Sequence, residues 1–477
     1  MTSKPRKRLA SSGALAALLA GTLLSGCATI PKDQGQLHPR SATELGLTDT
    51  SPAAIAPDWW HALGDPQLDR IIADTLAGNP SLDEASARMR VAHTLIGNFK
   101  AGLLPQASAG ANFTDERLSN KYIYPAPLGG SWKWMSNAEV DLSWSLDLAG
   151  RQHAILRAVK AVSASDNLQT AATRVSLSGA VAQAYLNLAR AEAQARLARE
   201  FVASREASLK LVETRRAANL ATEQDSAAAR TLLAEARQAV VRADGGRATM
   251  VHALAALAGR GPDYYATIQP ASLRPDAALP VPDALPADLL GRRADLLALR
   301  KMVEASNAGK DVAKAEFYPD VNLRAFIGAQ ALGIGSLFTG QAMTGGFGPA
   351  VHLPIFSGGA ISARYRASIA GADVSIAQYN GAVVNAVKEA ADALSQVETN
   401  RADAAQQVVI VAGLQKTVDL DRVRLSSGLG TRFDLLNSGE RLLAARQAQV
   451  DLAADGALAR VHLLVALGGG FTPITTP

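Results

Sequence analysis

Apolar residues along this chain recur first at helical spacing, then at every second position, then at helical spacing again, and the chain runs through these changes twice. Leu68, Ile71, Ile72 and Leu76 mark one face of a helix opened by Asp65-Pro66 and closed at Asn79-Pro80. A second helical stretch covers about 81–104. At Pro105 the period becomes two: Ala107, Ala109, Ala111 and Phe113 alternate with Ser108, Gly110, Asn112 and Thr114. The alternation sharpens from Trp132, where Trp132, Trp134, Ala138, Val140, Leu142 and Trp144 interleave with Lys133, Asn137, Glu139, Asp141, Ser143 and Ser145. These are two predicted strands, joined over 122–131 by a loop with two prolines and two glycines. A proline-free helical span follows over 150–261, broken once at 217–221.

The second half repeats this order. Val321, Leu323, Ala325 and Ile327 alternate with Asn322, Arg324 and Gly328, and a glycine-rich loop leads to Phe347, Val351, Leu353 and Ile355. A second proline-free span covers 357–472 and is broken at 426–430. The repetition is in register: Thr222, Asp225 and Ala236-Arg237-Gln238-Ala239 reappear 209 residues later as Thr431, Asp434 and Ala445-Arg446-Gln447-Ala448. Upstream the offset is 214, matching Leu82 and Pro105 to Leu296 and Pro319, so the five-residue difference falls inside the hairpins. The chain is a duplicated unit.

The first helix of each span is about 65 residues, close to 100 Å, and needs neighbours along its length. Its apolar positions are mostly small, as in Ala180, Val181, Ala184, Tyr185 and Leu188, or Val383, Ala386, Val387, Ala390 and Leu394. Two copies supply four strands. Four strands with one apolar face leave two unpaired edges, which a bilayer does not tolerate, so the pattern predicts that chains associate to close a barrel of eight, twelve or sixteen strands.

Composition agrees with long helices: of 477 residues 48% are hydrophobic but only 5% aromatic. The single cysteine, Cys27, excludes a disulfide framework within the chain. It stands behind Lys4, Arg6, Lys7 and Arg8 and an apolar run over 9–24, the pattern of an export leader. Leu24-Ser25-Gly26-Cys27 resembles the lipobox of bacterial lipoproteins, which implies lipidation of Cys27, and Ala28 after it implies sorting to the outer membrane. Without the leader's four basic residues the formal charge of +5 falls to +1, so the basic balance is no sign of a nucleic-acid partner. The predicted organisation is a signal peptide over 1–26, an extended lipid-anchored tether over 27–57, a first repeat over 58–269, a proline-rich connector over 270–286, a second repeat over 287–467 and a flexible tail over 468–477.

Catalytic constellations are missing from the sequence. His38, His61, His93, His153, His252, His352 and His462 are scattered without metal-ligand spacing, Gly428-Leu429-Gly430 lacks a third glycine, and no phosphate-binding loop occurs. Neither an enzyme nor a cofactor is expected. A lipid-anchored structural coiled coil is the competing class, and the amphipathic hairpins argue against it; Trp132, Trp134, Tyr122 and Tyr124 fit an aromatic girdle at a lipid interface.

Asp58-Trp59-Trp60 with Asp65-Pro66-Gln67-Leu68, the 144–151 stretch before the long helix, and 289–296 with Phe317-Tyr318-Pro319 resemble the outer membrane efflux proteins. These are the TolC-like exit ducts, here in the lipoprotein branch that includes OprM and NodT. The resemblance covers nearly all of the chain after the leader. It implies a fold that is mainly α with membrane β: a homotrimer whose duplicated helix-helix-strand-strand-helix-helix units close a twelve-stranded barrel on a long periplasmic helical barrel. It implies a periplasmic adaptor, an inner-membrane transporter of the resistance-nodulation-division type and outer-membrane lipid as partners, with small amphipathic compounds as cargo. Export of protein or peptide is the other reading of the same duct.

The resemblance places adaptor docking at the two helical turns, over Asn219, Leu220 and Thr222 and over Gly428, Leu429, Gly430 and Thr431. It places a gate in the helix that follows, where threefold symmetry would turn Asp434 into a ring of carboxylates. The sequence departs from the family at Asn437, where an acid is usual, and at Ala294, where proline is usual; the second departure implies a looser turn. Arg422, Arg424 and Arg432 are candidate partners of Asp434 in the gate reading; in the other, Asp434 favours a helix N-terminus without lining anything, as its twin Asp225 could.

Overall fold

The computed structural model describes residues 30–47, 55–271, 279, 281 and 289–472. Cys27, the leader and most of the proline-rich connector lie outside these residues. The first copy comprises α1 (Pro66–Gly78), α2 (Pro80–Ala101), β1 (Gln106–Arg117), β2 (Trp132–Ser145), α3 (Arg151–Ala217) and α4 (Glu223–Leu257). The second comprises α5 (Leu289–Arg292), α6 (Ala294–Ala315), β3 (Asp320–Leu332), β4 (Met343–His352), α7 (Ala360–Ser426) and α8 (Arg432–Ala466). α3 and α7 have 67 residues each, and α4 and α8 have 35 each, so the duplication reaches to the length of the helices.

The described chain divides into two compact units. One holds the strands with the helical residues 90–101, 151–165, 299–315 and 360–378. Its sheet is an antiparallel meander in the order β1-β2-β3-β4. Register puts Ala109 beside Val140, Val140 beside Ile327, and Leu142 and Ala325 beside each other with Phe347 next in line. Because side chains alternate between faces, these pairings join the apolar positions of all four strands into one face. The opposite face carries Asn112, Glu139, Asp141 and Arg324, with one aromatic exception, Phe326, whose ring lies over Gly346 on β4. A Cβ at Gly346 would come within 2.9 Å of that ring.

Strand gives way to helix through named contacts. The Trp144 indole donates to the carbonyl of Leu103 at 2.9 Å, tying the end of β2 to the entry of β1. Asp147, at φ 44°, accepts from the Gln152 and His153 amides and from the His153 ring, and so caps α3. Burial alone would raise its pKa, but these donors hold it below the usual carboxylate range. On the matching side Phe317, Ile361, Tyr365 and Ile369 form an apolar cluster with Ile30 packed against it. The expected tether is therefore bound where it is described: Lys310 pairs with Asp33, and the Asp373 carboxylate accepts from the Gln36 and Leu37 amides.

The other unit contains α1, both helix turns and most of α3, α4, α7 and α8. Its core gathers Leu68, Ile71, Ile72, Val181, Tyr185, Leu186, Leu254 and Val461. The Tyr185 hydroxyl donates to Asp65 at 2.7 Å, and burial pushes its pKa well above the ordinary phenol value. Pseudo-symmetry is visible in hydrogen bonds. Asn79 donates to the Leu257 carbonyl at the end of α4, and Arg293, in the matching position, donates to the Ala466 carbonyl at the end of α8.

Gly259 and Gly468, again twins, have φ of 68° and 102° and approach the Gly78 and Arg292 carbonyls so closely that a Cβ would fall 2.1 and 2.2 Å from those oxygens. Only glycine fits such a crossing. Two expectations are corrected here. Residues 468–470 are not a loose tail but a packed left-handed turn against Arg292, Val175 and Ala56. The turn at Ala294 is held without proline, because Arg293 also pairs with Asp295 and Glu389 and Ala294 is buried.

Candidate functional site

The two helical turns share one construction. Asn219 and Gly428 take the left-handed conformation at φ 56° and 73°, and the next residue's amide, Leu220 or Leu429, donates back to Arg215 or Arg424 at 2.8 Å. Asparagine tolerates that conformation and glycine favours it. Gly430 is not left-handed, but a Cβ there would meet Arg424 Cβ at 3.1 Å, where its twin is Ala221. Leu220 and Leu429 project outward, 68% and 75% exposed. Both turns thus present an exposed leucine.

Each turn restarts through a capping box. Thr222 Oγ1 accepts from the Asp225 amide while Asp225 accepts from the Thr222 amide and hydroxyl, and Thr431 and Asp434 repeat this at 3.2, 2.9 and 2.6 Å. These bonds hold the Asp434 carboxyl below its usual pKa, aided by the field of Arg424; the Thr222 bonds and Arg215 do the same for Asp225. Of the expected arginines, Arg422 pairs with Asp419 and Arg424 approaches Asp421, each on its own helix. Asn437 lines a cleft of about 460 Å³ between α3, α4 and α8, with Val212, Leu232, Phe433, Leu436 and Asp225 also on its wall.

One pair beside that cleft has no signal in the sequence. Arg205 on α3 meets Glu440 on α8 at 2.9 Å, with 22% and 16% of the side chains exposed. Burial raises the Glu440 pKa and Arg205 opposes the rise. Their 235-residue separation defeats any reading of local spacing. Further along, Arg190 bonds Asp455 and Gln194 bonds Asp451, again from α3 to α8.

Trp132 and Trp134, 65% and 46% exposed, stand at the end of β2 remote from the helices, opposite Arg117 and Asp115, and Tyr122 lies 6.0 Å from Tyr124 in the loop before them. Among the described residues no helix is long and apolar enough to cross a membrane, and no group of three or more His, Cys, Asp or Glu is placed to hold a metal ion.

Known proteins resemble the whole of this arrangement. The model of a family described as "Outer membrane efflux protein" matches residues 71–260 and 285–469. The fusaric acid resistance protein FusA of Burkholderia cepacia is 34% identical over 370 residues, 75% of this chain and 69% of that protein. The multidrug resistance outer membrane protein MdtP of Escherichia coli K12 is 28% identical over 463 residues, 94% of each chain. Among solved structures, the outer membrane protein VceC of Vibrio cholerae superposes with a TM-score of 0.80 at 30% identity, covering 88% of this chain and all of that one.

Proposed function

We propose, from the premise that this chain belongs to the outer membrane efflux protein family and is an outer-membrane exit duct of a tripartite efflux pump, that its cargo is small amphipathic compounds. The observation that carries the duct is the four-stranded sheet with one apolar face and two unpaired edges, continued by helices. Three copies pairing β1 to β4 give twelve strands without an edge, and the polar face then lines a water-filled passage. The names of FusA and MdtP, which concern fusaric acid and multiple drugs, support the cargo class.

In this reading the exposed Leu220 and Leu429 turns receive a periplasmic adaptor, which joins the duct to an inner-membrane transporter of the resistance-nodulation-division type. Asp434 narrows the passage near these turns, with Asn437 in place of a second acid. Cys27 carries lipid, residues 27–57 connect it to the first repeat, and Trp132 and Trp134 meet the lipid interface at the far end of the sheet. The duct supplies no catalysis of its own; family and fold are those of channel proteins.

The test is export from cells that lack their own duct and express this chain with a periplasmic adaptor and a resistance-nodulation-division transporter. Retention of an amphipathic fluorescent cation should fall several-fold. Unchanged retention, together with release of a peptide into the medium, would replace the small-molecule cargo with a polypeptide one.

A further inference from the structure

The helix ends that meet the sheet are predominantly basic, although Arg157, Lys310 and Arg364 pair with Asp311, Asp33 and Glu316. In the eight residues of each helix nearest the strands, α2 has Lys100, α3 has Arg151 and Arg157, α6 has Lys310 and Lys314, and α7 has Arg364 and Arg366; the one acid among them is Asp311. General basicity does not explain this, because beyond the leader the chain has 44 basic and 43 acidic residues.

The duplication repeats these cations. Lys314 follows Lys100 by 214 residues and Arg366 follows Arg157 by 209, the two offsets of the internal register. Lys100 and Lys314 are each the next-to-last residue of their helix, and Arg157 and Arg366 each the seventh of theirs. The nearby acids are not repeated: Gly97 and Gly102 stand where Asp311 and Glu316 would have twins. All four repeated cations are exposed, and Arg157 keeps 57% of its side chain in solvent while pairing with Asp311 at 2.8 Å.

Their level in the molecule gives the sign a use. The apolar face of β2 extends from Trp134 to Trp144, about 34 Å of strand, which matches a hydrocarbon layer once the strands are tilted. Trp144 and Tyr318 lie exposed at the helix-side border of that band. The cations begin just beyond it, where a bilayer presents its phosphates.

We propose that this basic collar binds anionic phospholipid headgroups of the leaflet facing the periplasm, which fixes the depth of the sheet in the membrane. The proposal rests on the exit-duct reading, which puts the sheet in the bilayer. Cations at an anionic surface are held by its potential within a Debye length, so the interaction weakens with salt.

The experiment compares the parent chain with a variant carrying Lys100→Gln, Arg157→Gln, Lys314→Gln and Arg366→Gln. Both are reconstituted into vesicles of phosphatidylcholine mixed with phosphatidylglycerol, and the phosphatidylglycerol retained per chain is measured after detergent extraction. The parent should retain several-fold more than the variant, and its retention should fall as sodium chloride is added. A charge-conserving variant, Lys100→Arg with Lys314→Arg, should retain lipid like the parent. Equal retention by parent and glutamine variant, or retention indifferent to salt, overturns the collar.

Loss of the lipid to inorganic phosphate, beyond what sodium chloride of equal ionic strength displaces, also overturns it, since the site would then read free phosphate. Conductance in a bilayer of phosphatidylcholine alone separates the two readings. A parent that conducts while the collar fails leaves the exit duct standing. A parent that never conducts overturns the duct and the collar with it.

Discussion

The two long hairpins follow the same path with different bracing. Between α3 and α4 run five ion pairs: Glu192 with Arg247, Arg199 with Asp244, Glu206 with Arg237, Glu213 with Arg230, and Arg216 with Glu223. At the twin positions of α7 and α8 these pairs are not repeated. The five twin positions read Arg401 and Gly456, Val408 and Ala453, Gln415 and Arg446, Arg422 and Gly439, and Leu425 and Arg432. Of these, Gln415 and Arg446 share a hydrogen bond of 3.0 Å. Gln407 on α7 also donates to the Ala445 carbonyl of α8, and the ion pairs that reach α8 come from the first hairpin, through Arg190 and Arg205, with Gln194 bonded beside them. A duplicated backbone thus needs only apolar packing and capped turns, and its cross-links are free to be redistributed between copies.

The largest expected effect follows from the Arg205 contact. Arg205→Ala leaves Glu440 partly buried beside a cleft without its partner, and should cost about 1–3 kcal/mol in thermal unfolding of the detergent-solubilised protein, between the values for an exposed and a fully buried pair. A loss no greater than that of an exposed pair would show that the second hairpin does not depend on the first.

The turns should respond equally where the braces do not. Thr222→Ala and Thr431→Ala each remove a capping acceptor and should cost about 1 kcal/mol. Asp225→Ala and Asp434→Ala separate capping from gating. Both should loosen their turns alike, whereas only Asp434→Ala should alter cation selectivity in planar bilayers. A matching change from Asp225→Ala would remove the special position of Asp434.

Transplanting a brace sharpens the contrast. Gly439→Arg with Arg422→Glu rebuilds in the second hairpin the pair that Arg230 and Glu213 make in the first, and no atom lies within 4 Å of a Cβ at Gly439. Replacing a helix-interior glycine should add up to about 1 kcal/mol, and the pair a few tenths more. Destabilisation would mean that the second hairpin is unbraced for steric reasons.

The smallest effect is one of pH, and its two parts have opposite sign. Asp225 and Asp434 are held below the ordinary carboxylate value of an unfolded chain, so their stabilising contribution is complete above that value and is lost as pH falls through the folded pKa. Glu440 is raised above the ordinary glutamate value, so its contribution is present below that value and is lost as pH rises through the folded pKa. Melting temperatures of the parent and Glu440→Gln should converge at acid pH once both side chains are neutral. A constant difference across the titration would assign the pair another role.

Much of this architecture was legible because it rests on periodicity. The switch from helical to alternating spacing located the strands, and repeated Thr-x-x-Asp located both helix restarts. Long-range chemistry was not legible. Arg205 and Glu440 look like any exposed pair until α3 and α8 lie side by side, and Asp373 shows no tie to residues 36 and 37 before the chain folds. The glycines at 468–470 read as a loose end, since only the folded chain brings the Arg292 and Ala56 carbonyls against them. At Asp434 the sequence pattern suited both a cap and a gate, and the bonds to Thr431 account for the first role directly.

The open edges of β1 and β4 set an order of events in the life of the molecule. Capped and braced helices can form in water from one chain, because every brace of the first hairpin lies within it. The sheet has no such autonomy. Its outer rows of amides and carbonyls are templates for any strand that arrives, so a copy left alone is as ready to join a foreign strand as a sibling. Completing the sheet therefore depends on copies meeting, and a copy that meets none keeps its edges open to aggregation.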